Sequence, residues 1–316
     1  MPVRNLAPIM TSTPTDPLKV VGPIVGMRTS ETFDSRPYEL FSLSPSTPTI
    51  GAEISGIRLS GDLSEETMDE LRRALLEWKV LFFRDQDIER SEHRGFAERW
   101  GELEQHPFFK YSAQDQTDVD VTTLAKDAMF GATENGWHND VSWYDFPSFG
   151  AVLRAREIPP VGGDTLWADT AAAYDVLPQE IRDRIDPLVA KHDWEHVFGK
   201  YMDQDDVDQL RPQFPGAEHP VVRLIPETGR RVLFVNPGFT TRILGVTEDE
   251  SNELLALLYR HIQRPEFQVR LRWQPNTIAF WDNRTCQHYA SSDYFPARRV
   301  MDRISIVGDR PVGITF

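Results

Sequence analysis

The sequence predicts a mainly β domain, a sandwich or barrel with helices packed outside it, and three observations lead there. The strongest apolar segments are short and rich in β-branched or aromatic residues: FGAVLRAREI, RRVLFVN, FQVRLRW, TIAFWDN and RRVMDRISIVGD, all after residue 145. Each is bounded by turn-forming residues. Helical spacing is confined to a few segments that come early or as inserts, so strand and helix do not alternate regularly. Finally, 316 residues with 40% hydrophobic side chains suffice for one large core.

Residues 1–36 are rich in Pro, Ser and Thr without any period. They read as a flexible N-terminal extension, which leaves 37–316 as a single domain. The body opens on YELFSLSPSTPTIGAEISGIRL, where alternation and turn residues predict short strands. SEETMDELRRALLEW predicts a helix capped by Ser64, with Met68, Leu71, Leu75 and Trp78 on one face. KVLFFRDQ follows as a buried strand. SEHRGFAERWG (91–101) predicts a second short helix, capped by Ser91 and stopped by Gly101. In TEDESNELLALLYRHIQRP, Thr247 and Glu250 form a capping box and Pro265 follows the helix end. Two polar stretches, roughly 107–135 and 193–219, are long for connections and read as lids or binding loops.

The formal net charge of -15 argues against nucleic acid or an anionic membrane as partner. One cysteine, Cys286, rules out an intramolecular disulfide and fits a reducing compartment. No apolar run approaches the ~18 residues of a membrane span, and no secretory signal opens the chain. The expectation is a cytoplasmic homo-oligomer acting on a small molecule.

Phosphate-binding glycine motifs and HExxH are absent. DQDDVD (203–208) lacks the glycine and the twelfth-position acid of a calcium loop, where Phe214 falls, and reads as a solvated acidic loop. His192 and His196 are four apart, but Asp193 stands where a zinc protease has Glu, so both read as partly exposed lid histidines.

GWHNDVSW is more informative. On a strand, His138 and Asp140 share a face and could converge on one ion. By themselves they more readily describe a hydrogen-bonded histidine beside a surface acid. Downstream, His288 follows TIAFWDN and a polar turn, with Cys286 two residues before it. A thiolate is a poor companion for carboxylate ligands, so Cys286 reads as a packed side chain. On RRVMDRISIV, Arg299 and Arg303 share a face with Met301 between them, roughly 13 Å apart. Two guanidiniums on one face suit two anionic groups; the alternative is a ladder of ion pairs with Asp302 or Asp309. Two histidines and a carboxylate match the facial triad of non-heme Fe(II) oxygenases. A deep arginine suits a dicarboxylate co-substrate.

Seven stretches carry a resemblance: IGAEISGIRL, GWHNDVSW, PPVGGDTLWADTAAAYDVLP, HPVVRLIPETGRRVLFVNPGFTTRI, PEFQVRLRWQPNTIAFWDNR, QHYASSDYFPARRVMDR and GDRP, in order from about 38 to 311. In them the sequence resembles the taurine dioxygenase family of Fe(II)/2-oxoglutarate-dependent dioxygenases, which has alkylsulfatase-type and phenoxyacetate-type members. The resemblance implies a double-stranded β-helix (jelly roll) with helices outside. It implies Fe(II) on His138, Asp140 and His288, and 2-oxoglutarate held by Arg299 and the Thr165 hydroxyl. O₂ is the other reactant; succinate and CO₂ are products. Arg303 matches the position that holds a substrate's anionic head, and His106 a substrate contact. Val141 walls the substrate pocket. Phe109 stands where the taurine enzyme has a tyrosine, and Glu134, next to Asn135, where it has an asparagine.

GFTTRI and PEFQVR look taurine-like, so the expected substrate is a small sulfonate such as taurine, released as sulfite and an aldehyde. The alternative within the family is an alkyl sulfate ester or a carboxylate-bearing substrate. From other classes come a non-catalytic jelly-roll binding protein and a zinc hydrolase using the same ligands. Asp140 excludes halogenase chemistry, which needs that ligand removed.

Overall fold

The computed structural model describes residues 36–105, 121–126 and 135–314. Its strands are β1 (Ser42–Pro45), β2 (Ala52–Ser55), β3 (Val80–Phe83), β4 (Leu103–Glu104), β5 (Thr122–Lys126), β6 (Gly150–Glu157), β7 (Thr165–Asp169) and β8 (Val189–His192). They continue as β9 (Ala217–Pro220), β10 (Val222–Ile225), β11 (Arg230–Leu233), β12 (Thr240–Ile243), β13 (Gln268–Leu271), β14 (Ile278–Asp282), β15 (Cys286–Ala290) and β16 (Arg299–Ile306). The helices are α1 (Glu65–Trp78), α2 (Arg90–Glu98), α3 (Thr170–Asp175), α4 (Gln179–Ile185), α5 (Glu195–Phe198), α6 (Gln204–Leu210) and α7 (Glu248–Ile262).

The major sheet runs β1-β2-β3-β14-β6-β16-β4, with β5 also on β16. A second sheet, β13-β7-β15, supplies the opposite wall, and β12-β8-β9 and β10-β11 extend the β structure. The fold is the expected jelly roll. Alternation explains its core. On β3, Val80 and Phe82 join Trp167, Trp273, Trp281 and Met301 between the sheets. Leu81 and Phe83 point outward, to Met68, Leu71, Leu75 and Phe96 of α1 and α2. Both faces are covered, so the strand reads as unbroken apolar sequence. On β16 the same rule places Met301 inside and Ile304 and Ile306 outside. Arg299 and Arg303, in step with Met301, therefore face the interior.

Helix α1 begins as expected, with Ser64 Oγ accepting from the Thr67 amide at 3.2 Å. In α7 Thr247 Oγ1 accepts from Glu250 N at 3.3 Å, one half of the expected capping box, while the Glu250 carboxylate pairs with Arg184. At α2 the expectation fails. The cap is Glu89, not Ser91, and the helix ends at Glu98, short of Gly101. Glu89 and Glu92 form a reciprocal box that satisfies two open amides, where Ser91 would satisfy one.

The 193–219 stretch is not a loose loop: it holds α5, α6 and a short 3₁₀ turn. DQDDVD lies across the start of α6, with Asp205 and Asp206 in its first turn, where acids favour the helix dipole. His192 lies buried on β8 and His196 exposed on α5, so they share no helix face. This corrects the reading of His192 as partly exposed. Of the 107–135 stretch, only β5 and residues 121 and 135 are among the described residues. No helix among the described residues is long and apolar enough to cross a membrane.

Candidate metal centre

GWHNDVSW does not form a strand. One backbone pair anchors it: His138 N–H donates to His288 O at 3.0 Å, and His288 N–H donates to His138 O at 2.9 Å. The chain then turns at Asp140, and Val141 takes φ 42. That is a costly conformation for a β-branched residue. The two side chains therefore converge through a turn, not through the i, i+2 geometry of a strand.

Asn283 holds that turn. Its Oδ1 accepts from Asp140 N at 2.8 Å, and its Nδ2 donates to Asp140 O at 3.1 Å and Ser148 O at 3.0 Å. Asn139 returns the contact, donating from Nδ2 to Asn283 O at 2.8 Å and Cys286 O at 3.0 Å. Both asparagines are buried. From the other side, Val141 packs with Trp143, Phe239 and the Trp194, Val207 and Leu210 side chains of the 193–219 segment. Gly238 must be glycine here, because a Cβ would lie 2.8 Å from His138 Cβ.

Three donor atoms, from His138, Asp140 and His288, lie within 4.8 Å of one another. Asp140 Oδ1 is 3.7 Å from His138 Nε2 and 3.6 Å from His288 Nε2. All three could therefore reach one ion placed between them. The chemistry of the donors fits as well. His138 Nδ1 lies 2.9 Å from Gly136 O, and donating there leaves the Nε2 lone pair for a metal. Burial pushes His288 down to about 3, with the His138 ring and Arg303 adding and Asp140 opposing. Its imidazole is thus neutral, as a ligand must be. Cys286 is fully buried, its thiol pushed well up by that burial, and its Sγ donates to Asp282 O at 3.2 Å. It is a packed side chain, as expected.

Arg303 reaches the same centre, with Nη2 3.0 Å from Asp140 Oδ2 and Nε donating to Ser305 Oγ at 3.2 Å. The expected acids are engaged elsewhere: Asp302 by Arg156 and Thr123, and Asp309 by Arg223. Glu104 pairs in register with Ser305 and accepts from the Ser148 hydroxyl. Burial raises its carboxyl to about 7, against the pull of that hydroxyl and Arg303.

Arg299 is buried, its guanidinium carbon 5.9 Å from the ring centroids of both Trp273 and Tyr294. Thr165 opens β7, buried, and its Oγ1 accepts from Trp273 Nε1 at 2.9 Å. The structure thus brings together His138, Asp140, His288 and Arg303, and gathers Thr165 and Arg299 around Trp273. His106, Phe109 and Glu134 lie outside the described residues. Sequence reasoning missed Asn283, Trp273 and Glu104. Asn283 alone had a signal, a polar AspAsn pair closing the apolar strand TIAFW.

Comparison with known proteins agrees with this geometry. The family model for taurine catabolism dioxygenase TauD, TfdA family, matches residues 42–305. The chain is 38% identical over 291 residues to an alkylsulfatase from Acinetobacter baylyi, covering 89% of this chain and 90% of that one. It is 38% identical over 280 residues to an alpha-ketoglutarate-dependent sulfate ester dioxygenase from Pseudomonas putida, covering 85% and 90%. Its structure resembles that of a taurine dioxygenase from Burkholderia xenovorans with a TM-score of 0.74 at 36% identity, covering 87% and 93%.

Proposed function

Since the chain belongs to the TauD/TfdA family and is an Fe(II)- and 2-oxoglutarate-dependent dioxygenase, we propose that it hydroxylates alkyl sulfate esters at the carbon bearing the ester oxygen. The hydroxylated ester then collapses to an aldehyde and sulfate. The observation that carries an anionic substrate is Arg303, whose guanidinium stands 3.0 Å from a carboxylate oxygen of the metal-site aspartate. The choice of ester over sulfonate rests on the two relatives at 38% identity. It moves the substrate away from the taurine that GFTTRI and PEFQVR suggested.

In this reading, His138, Asp140 and His288 hold the iron, and Thr165 and Arg299 take the distal carboxylate of 2-oxoglutarate. Together, iron, 2-oxoglutarate and O₂ supply the oxidising equivalent for the substrate C–H, with succinate and CO₂ as co-products. The protein's own work is placement. Arg303 fixes the sulfate head so that the adjoining carbon faces the triad, and a bidentate guanidinium suits a sulfate's oxygens. The cluster of Val141, Trp143, Phe239 and the 193–219 segment closes one side against water.

The test is a substrate screen under air with Fe(II) and 2-oxoglutarate, reading succinate together with sulfate and sulfite. Alkyl sulfates should stimulate succinate release and yield equimolar sulfate. Stimulation by taurine alone, with sulfite as product, would return the substrate to the sulfonates, which the taurine dioxygenase likeness favours.

A further inference from the structure

We infer that Trp273 is a positioning residue for the co-substrate, acting through the Thr165 hydroxyl and the Arg299 guanidinium. The inference rests on the reading that Thr165 and Arg299 hold the distal carboxylate of 2-oxoglutarate. A threonine hydroxyl has one proton to give and two lone pairs, whereas an indole N–H can only donate. Trp273 Nε1 donates to Thr165 Oγ1 at 2.9 Å, and both residues are buried. That bond fills an acceptor lobe of the oxygen and keeps the hydroxyl's proton from pointing at the indole. Among the described residues, Thr165 Oγ1 has no other hydrogen-bond partner. Its proton is therefore aimed away from Trp273, available to an acceptor that arrives later. A carboxylate is acceptor-only, so it requires this polarity. Without the indole, the hydroxyl is no longer oriented before the carboxylate arrives and must be ordered on binding.

The same ring flanks Arg299. The guanidinium carbon stands 5.9 Å from the Trp273 centroid and 5.9 Å from that of Tyr294, within cation–π range of both. Gly163, at φ +72, completes the slot, since a Cβ there would come within 3.2 Å of Arg299 Cδ. One side chain thus orients both groups of the carboxylate pocket.

A buried tryptophan also needs some partner for its N–H, so the test must separate orientation from ordinary structure. It uses Trp273→Phe, Thr165→Val and the double variant, each loaded anaerobically with Fe(II) and titrated with 2-oxoglutarate through the visible band of the chelate. Each single change should weaken 2-oxoglutarate roughly tenfold, the order of one hydrogen bond to a charged group. In the Thr165→Val background, Trp273→Phe should cost clearly less than it does in the wild-type background, the remainder being the lost ring over Arg299. Additive losses overturn the proposal, because the indole would then act independently of the hydroxyl. Weakening in Thr165→Val with none in Trp273→Phe overturns the role of Trp273 and leaves the pocket assignment standing. No weakening in Thr165→Val refutes the assignment itself and the proposal with it. A measurement on intact Trp273 guards against loss of fold in the Phe variant. In ¹⁵N-tryptophan-labelled protein with Zn(II) replacing iron, the indole N–H signal displaced by Thr165→Val should also move on adding 2-oxoglutarate. If those are different signals, the proposal fails.

Discussion

Arg303 concentrates the argument about substrate at a single residue. It lies between Asp140 and Ser305, so on the proposed reading an incoming sulfate would share the guanidinium with the Asp140 carboxylate. Arg303→Ala should abolish stimulation of succinate release by alkyl sulfates while leaving anaerobic 2-oxoglutarate binding largely intact. Loss of 2-oxoglutarate binding instead would mean that the roles of Arg299 and Arg303 are exchanged. Asn283 makes the complementary prediction. It is not itself an expected iron ligand, yet it clamps both backbone groups of Asp140 and steadies the strained turn at Val141. Asn283→Ala should weaken Fe(II) roughly tenfold, as loss of an outer-shell partner commonly does, measured by metal titration. It should also raise the fraction of 2-oxoglutarate consumed without substrate oxidation. Unchanged metal affinity and coupling would reduce Asn283 to a packing role.

At the level of elements, periodicity located α1, α7 and the long strands of the major sheet because burial on one or both faces writes a pattern into the chain. Caps were less legible. Ser64 and Thr247 cap as expected, but Glu89 displaces Ser91, because reciprocal capping depends on which pair of side chains can reach each other. Junctions between elements were not legible at all. Lys79, in the left-handed turn after α1, forms an ion pair at 2.9 Å with Asp169, the cap of α3, with both side chains buried. Nothing local predicts a pair ninety residues apart. Lys79→Met leaves the carboxylate buried without its counter-charge and should cost on the order of 3–5 kcal/mol in urea unfolding. A loss below about 1 kcal/mol would show that the pair is incidental.

For the whole molecule, the consequence is acid lability. His93 and His219 are buried neutral, each held down at about 4 chiefly by burial, with their backbone hydrogen bonds opposing. His192 is driven well below its usual value by burial and the nearby His219. The unfolded chain binds these protons near pH 6.5 and the folded one does not, so stability is full above pH 6.5 and falls as pH drops toward 4. Each of the first two contributes up to on the order of 3 kcal/mol over that window. Denaturant midpoints should therefore be flat from pH 7 to 8 and fall steeply between 6.5 and 4. A flat profile through that window would show that these rings are hydrated in solution.

The sequence by itself determined the reaction class and the β-rich architecture, and it singled out the three residues whose donor atoms the structure brings together. These depend on residue types and on periodicities that survive without three-dimensional knowledge. His138, Asp140 and His288 were legible through the family resemblance carried by seven stretches in order, since His-x-Asp alone is a weak signal. Only the tertiary structure decided how they meet, since the convergence arises in a turn anchored to β15 and clamped by Asn283. It alone brought Arg303 against Asp140 and joined Trp273 to Thr165, 108 residues apart in the chain. Long-range hydrogen bonds between buried polar groups leave no period in a sequence. They exist only once packing has excluded water and made each unpartnered donor costly.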